Sequence, residues 1–218
     1  MTLFRLDASF RVEGSHSRAI ADVVEAAWTE ANPGERVVRR HLGTDVIPAT
    51  AWGDAVTAGF VPEDQRTPAQ QEAVALAATL VDELVEADAL LFAVPLFNYG
   101  VSQHFKTWVD LVITDPRMAP GTTTLADKTA ELVVVRGGNY QAGAPREGWD
   151  HATPWMRRIL ADLWGLDLTV TETDFTLVGV NPAMDQFKDL AAELRAESER
   201  VAREHGAGLG RGRREVAA

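Results

Sequence analysis

Ala89-Leu90-Leu91-Phe92-Ala93-Val94-Pro95-Leu96-Phe97-Asn98-Tyr99-Gly100-Val101-Ser102 decides the fold. The unbroken apolar run from Ala89 to Val94 reads as a strand buried on both faces, the kind found inside a parallel sheet. Pro95 is expected to stop it. Phe97, Asn98, Tyr99 and Gly100 then form a short loop, and Ser102 is placed to cap a helix. Open α/β sheets bind ligands at such a place, where a buried strand gives way to a loop at a helix start.

Outward from this stretch, strands and helices alternate. Residues 2–8 read as a first strand. From Arg18 to about Ala31 a helix is expected, because Ile20, Val23, Val24, Ala27 and Trp28 recur at helical spacing. Asn32-Pro33-Gly34 ends it. Residues 36–42 form a half-charged second strand, suited to a sheet edge. Residues 43–66 read as irregular, and a connection this long points to a functional or interface excursion. Thr67-Pro68-Ala69-Gln70 is a strong helix start, with a capping Thr, Pro at the first helical position and Gln three residues on from the cap. That helix continues to about Ala87. After the opening stretch, a helix with Phe105, Trp108, Val109 and Val112 inward runs to Asp115-Pro116. Residues 130–135 form a fourth strand, Thr153-Pro154 starts a helix closed by Gly165, and residues 166–175 form a fifth strand. Asn181-Pro182 begins the last helix, with Met184, Phe187, Leu190, Ala191, Leu194 and Val201 on its face. The pattern predicts an α/β fold: a doubly wound, five-stranded parallel sheet of flavodoxin-like order with helices on both faces. A single domain over residues 1–205 is expected, with a disordered tail at 206–218.

Composition narrows the function classes. The 218 residues carry a net charge of −11, which disfavours nucleic acid and anionic membrane surfaces as partners. There is no cysteine, so disulfides, thiolate nucleophiles and Cys-ligated clusters are excluded. No run approaches a membrane span and the N-terminus lacks a secretory apolar region, so a cytoplasmic location is expected. The five histidines show no metal-ligand spacing, and no metal is expected. There is no GxSxG elbow, GxGxxG or GxxxxGK[ST]. Ser102 and His104 lie two apart on a helix and do not face each other.

In a doubly wound sheet the loops after the strands converge. Ser9, Ser15 and Ser17 offer hydroxyls and amides to a phosphate at a helix N-terminus, or serve as ordinary caps. Phe97 and Tyr99 around Asn98 supply a stacking surface and an amide for a flat heterocycle, or simply close the core above a turn. Arg136-Gly137-Gly138 lets backbone approach a ligand, with an Arg to steady negative charge on a ring carbonyl, or makes a tight post-strand turn.

Taken together, the chain resembles the FMN-dependent NADH:quinone oxidoreductases known as azoreductases, over about residues 2–200. The resemblance rests on Ser9 with Gly14-Ser15-His16-Ser17, the helix start at Arg66-Thr67-Pro68-Ala69-Gln70-Gln71-Glu72-Ala73, the loop Pro95-Leu96-Phe97-Asn98-Tyr99, Phe105-Lys106 with Asp110, and Arg136-Gly137-Gly138. It implies a flavodoxin-like homodimer with one FMN per subunit near the interface. Ser9, Ser15, His16 and Ser17 would hold the phosphate. Pro95, Leu96, Phe97, Asn98 and Tyr99 would line the ring, and Gly137 and Gly138 would meet its pyrimidine edge. Arg136 and Asn98 are the candidates for stabilising the reduced ring.

The chain also departs from the family. His16 stands where Gln is frequent, and Phe-Asn-Tyr replaces Tyr-Asn-Phe. The loop over residues 114–127 is shorter and lacks the Phe and Tyr that cover the flavin in relatives. Trp52, Phe60, Trp149 and Trp164 are expected to rebuild that wall, in part across a dimer. The implied activity is ping-pong, two-electron hydride transfer from NADH or NADPH through FMN to a quinone, an azo compound or a related small acceptor. No catalytic acid or base is named. Three alternatives stay open: a pathway-specific flavin reductase acting on a secondary metabolite, a non-catalytic flavodoxin-like electron carrier, and a nucleotide-binding regulator.

Overall fold

The computed structural model describes residues 1–211. Its strands and helices follow in the order β1 (Thr2–Asp7), α1 (His16–Ala31), β2 (Arg36–His41), α2 (Ala51–Ala58), α3 (Pro68–Glu86), β3 (Ala89–Phe97), β4 (Gly100–Val101), α4 (Gln103–Val112), β5 (Thr129–Val135), α5 (Thr153–Arg157), β6 (Asp167–Thr173) and α6 (Lys188–Gly208). Five parallel strands lie in the order β2-β1-β3-β5-β6, and β4 folds back antiparallel on the end of β3. This is the expected flavodoxin-like order. Among the described residues no helix is long and apolar enough to cross a membrane.

The sheet separates two apolar layers. Leu90, Phe92 and Val94 face the larger one with Leu80, Leu84, Phe105 and Trp108. Leu91 and Ala93 face the smaller one with Ile20, Val24 and Trp28. Alternate residues of β3 thus feed opposite layers, which is why the strand has no polar face. Thr67 caps α3 through a complete capping box with Gln70. The other end of α3 is capped from a distance: the Lys128 ammonium donates to the carbonyls of Leu84, Val85 and Ala87 at 3.2, 2.6 and 2.6 Å. A cation there satisfies orphan carbonyls and opposes the helix dipole.

Five expectations need correction. Residues 43–66 are not irregular: they hold α2 and a short 3₁₀ turn at Glu63–Gln65. Pro95 does not stop β3, which runs on to Phe97 with Pro95 opposite Val135. β1 ends at Asp7 opposite Ala93, so Pro95 falls where one edge of β3 is free and a missing N–H is tolerated. α1 starts two residues early, because Ser15 caps it. The last helix begins as a 3₁₀ segment at Pro182–Phe187, and α6 buries Ser198, Ala202 and Gly206 while Leu190 stays exposed. Finally, α6 continues to Gly208 where a tail was expected from Gly206; residues 212–218 lie outside the described part.

The small face of α6 permits close approach to α1. A Cβ on Gly206 would lie 2.3 Å from the Val24 carbonyl oxygen, whereas one on Gly208 would meet nothing within 4 Å. Gly206→Ala should therefore cost about 2 kcal/mol by forcing the helices apart. Gly208→Ala should leave stability within about 0.5 kcal/mol of the parent. Urea unfolding of the two variants checks the difference; equal costs would contradict this packing.

Candidate functional site

At the C-terminal ends of β1, β3 and β5 the chain leaves a cavity of about 370 Å³. Most of the residues expected to hold the cofactor are brought together here: Ser9, Ser15, His16, Ser17, Pro95, Leu96, Phe97, Asn98, Tyr99 and Gly137 line it. They arrive from three neighbouring strands, so the cavity has an order across the sheet. The β1 loop is at one end, the β3 turn in the middle and the β5 loop at the other end.

The β1 end suits an anion. Ser15 caps α1 by accepting from the Arg18 amide at 3.4 Å, and its hydroxyl lies 3.2 Å from that of Ser17. The amides of His16 and Ser17, in the first turn, have no intrahelical acceptor. Ser9 accepts from the Arg11 amide at 3.2 Å, and Arg18 donates to the Val12 carbonyl at 2.6 Å, so the loop is closed on itself. Burial, together with the charges of Arg195 and Arg11, pushes the His16 imidazole below its ordinary range. The surroundings therefore already disfavour one more positive charge.

Burial and the Arg18 charge likewise lower His41. In the unfolded chain both imidazoles take up protons as pH falls through about 6.5, while in the folded chain they resist. The unfolded state then binds more protons, so ligand-free stability should fall between about pH 7.5 and 5.5. His16→Asn should shrink the drop, read as the shift in urea midpoint. An unchanged drop would contradict the assignment.

The middle is an aromatic turn. Leu96 pairs with Val101 and Phe97 with Gly100, leaving Asn98 and Tyr99 as a two-residue hairpin turn. Both have positive φ, 49° and 65°. Asn accepts that conformation readily, but Tyr does so at a cost, and such strain is characteristic of functional loops. The ring of Phe10 lies 5.4 Å from that of Phe97. Trp149 packs edge-on against Tyr99 at 5.4 Å, and the His151 amide donates to the Tyr99 carbonyl at 3.0 Å.

At the β5 end the structure redistributes the expected roles. Gly137 lines the cavity, but Gly138 and Arg136 stand behind the wall. The Arg136 guanidinium is buried and meets Asp174 at 2.5 Å, Glu172 at 2.9 Å and Asp150 at 3.2 Å. Asp150 in turn accepts from Ala152 and Thr153, holding the start of α5. Burial opposes the ionisation of Asp150, but those hydrogen bonds and Arg136 outweigh it and keep its carboxyl low. Arg136 therefore ties the loop after β5 to the end of β6, and it is not among the residues that line the cavity.

The cavity also draws on residues that sequence reasoning passed over: Phe10, Arg11, Tyr140, Arg146, and Thr176, Leu177 and Val180 from the loop after β6. Exposed Leu177 and Val180 in a loop were the available signal for the last group. Of the four residues expected to rebuild a wall, only Trp149 is beside the cavity. Trp164 is core, packed against Trp108 at 5.7 Å. Trp52 and Phe60 are exposed on and just beyond α2. Residues 114–127 contribute nothing to the lining. They are held on α3, where Arg117 meets Asp82 and the Ala78 carbonyl.

The sequence model of a family described as having a flavodoxin-like fold matches residues 1–200. An FMN-dependent NADH:quinone oxidoreductase from Frankia casuarinae is 38% identical over 204 residues, covering 92% of this chain and 96% of that protein. The crystal structure of the azoreductase AzrA superposes with a TM-score of 0.80 at 22% identity, covering 96% of this chain and all of the other. An FMN-dependent NADH-azoreductase from Bacillus anthracis, crystallised with FMN, gives 0.66 at 16% identity, covering 92% and 99%. These two structural likenesses speak to the fold.

Proposed function

Since this chain belongs to the flavodoxin-like family of FMN-dependent NADH:quinone oxidoreductases and azoreductases, we propose that it binds FMN in the cavity above β1, β3 and β5 and uses it to pass hydride from NADH or NADPH to a quinone or azo compound. One observation carries the reading: a helix N-terminus with serines, a strained aromatic turn and an open glycine backbone all line a single cavity. That donor set fits a phosphate-bearing flat heterocycle from end to end.

When bound, FMN supplies the hydride-accepting ring; the protein supplies position and electrostatics. The His16 and Ser17 amides and the serine hydroxyls would hold the phosphate. Phe97 and Tyr99, braced by Phe10 and Trp149, give the ring its apolar walls. Gly137 would offer backbone to the ring edge, and the position has little room for a side chain, since a Cβ there would lie 2.8 Å from Leu177 Cδ1. Donor and acceptor use the same opening in turn, so ping-pong kinetics belong to the reading. A homodimer belongs to it as well, supported by the exposed apolar Trp52 and Val56 on α2 and Phe60 just beyond it, and so does a cytoplasmic location.

Steady-state oxidation of NADH and of NADPH with a panel of quinones and azo dyes tests the proposal. Parallel double-reciprocal lines with soluble acceptors, and no partner protein, are expected. Turnover only with a redox protein would favour an electron carrier. A second reading, a reductase for one secondary metabolite, gains support from residues 114–127 lying on α3 and contributing nothing to the cavity lining; equal turnover across the panel would exclude it.

A further inference from the structure

Arg146 occupies the place in the cavity that the sequence assigns to Arg136. Its side chain lies along the backbone of Gly138, so that a Cβ on that residue would come within 2.5 Å of its guanidinium. Two guanidinium groups flank the ring of Tyr140, Arg136 at 5.7 Å and Arg146 at 5.9 Å. They are electrostatically unlike. Arg136 is surrounded by three carboxylates and does not line the cavity. Arg146 lines it, is half-buried, and has no ion pair among the described residues. The other cavity-lining arginine, Arg11, comes from the β1 loop at the phosphate end.

Topology then fixes which part of a ligand Arg146 meets. Adjacent strands are about 4.8 Å apart, so the loops after β1 and β5 rise from points about 10 Å apart with the aromatic turn between them. A ligand with its phosphate at the β1 end and its ring across the turn presents the far edge of the ring to the β5 loop. A half-buried cation with no carboxylate partner among the described residues acts on charge that develops there.

Resting on the FMN reading above, we infer that Arg146 is the residue that stabilises the negative charge gained by the ring edge on reduction, and so sets the reduction potential. Hydride transfer breaks the C–H bond of the dihydronicotinamide and brings two electrons and one proton to a neutral ring. Without a second proton, one negative charge is left on the ring. When hydride passes on to a quinone, which takes its second proton from solvent, the charge is discharged. A cation at that edge favours the reduced form over the oxidised one.

The test is an anaerobic redox titration of the FMN-loaded protein and of R146Q and R146K, with oxidised FMN affinity measured alongside. R146Q removes the charge and shortens the side chain but keeps a polar amide, whereas R146K keeps the charge at nearly the parental length. R146Q should bind oxidised FMN nearly as the parent does, and lose about tenfold in preference for the reduced form, a midpoint about 30 mV more negative. R146K should retain most of the parental midpoint. An unchanged midpoint in R146Q would overturn the inference while leaving the FMN reading intact. Should R146Q not retain FMN, R146K decides: a midpoint near the parental one supports the inference, and a fall of the full size overturns it. If the parent itself retains no FMN, both readings fall.

Discussion

Replacing Ser15 by aspartate is expected to weaken FMN binding about 10²–10³-fold while leaving the protein folded. The Ser15 hydroxyl accepts the Arg18 amide at the start of α1, and an aspartate carboxylate makes the same cap at least as well. A negative charge in the first turn also suits the helix dipole. Stability should therefore be unchanged or slightly raised. The bound phosphate, however, would meet a carboxylate among the very amides that should hold it. At about 4 Å and an effective dielectric near 20, two like charges repel by about 4 kcal/mol, enough for the stated loss. Riboflavin has the ring without the phosphate, so its affinity for S15D should match its affinity for the parent. Fluorescence titrations with FMN and with riboflavin check both halves. Equal losses for the two would mean that the phosphate lies elsewhere.

The second large effect concerns stability. Arg136→Met should cost about 3–5 kcal/mol, because it leaves Asp174, Asp150 and Glu172 together without their cation. For a chain of this length that corresponds to a melting temperature lower by on the order of 10 °C. The sign of the pH dependence distinguishes this from a simple cavity. In the parent, Asp150 is held below its ordinary range, so its contribution is present above the unfolded carboxylate range and is lost as pH falls through its folded value. In R136M the carboxylates repel one another when ionised. The gap between variant and parent should thus be widest near neutrality and narrow toward acid, where protonation removes the repulsion. Melting curves across pH check this. A gap independent of pH would show that lost packing, not charge, is responsible.

These two residues show how much the sequence reveals. Ser15 is legible because its role is local: a small hydroxyl residue before a periodic apolar helix has few other uses. The β3 core run and the capping box at Thr67 are legible for the same reason. Arg136 is not, since neighbouring glycines say that backbone can approach a ligand but not where the adjacent guanidinium turns. Asp150 lies 14 residues away and Asp174 lies 38, and only the fold brings them together. Arg146 escapes notice because nothing in its local run of Gly, Ala and Pro marks it; its position over Tyr140 is tertiary. α2 is hidden by its own chemistry. Its buried face is Ala51, Ala55 and Ala58, too small to announce a stripe, while its large apolar residues Trp52 and Val56 point outward. The buried face of α6 is equally small, so its larger residues misdirect the reading. Large buried residues signal through periodicity; small close-packed faces and long-range ion clusters do not.

One flavin exchanging hydride in one cavity is the core of the proposed function. Its most direct test is anaerobic: the purified protein is loaded with FMN, freed of excess, and titrated first with NADH and then with a soluble quinone, following flavin absorbance. One FMN per chain is expected, bleached by one equivalent of NADH and restored by one equivalent of quinone with no other protein present. A chain that holds no FMN, or a bound flavin that NADH fails to bleach, would contradict it.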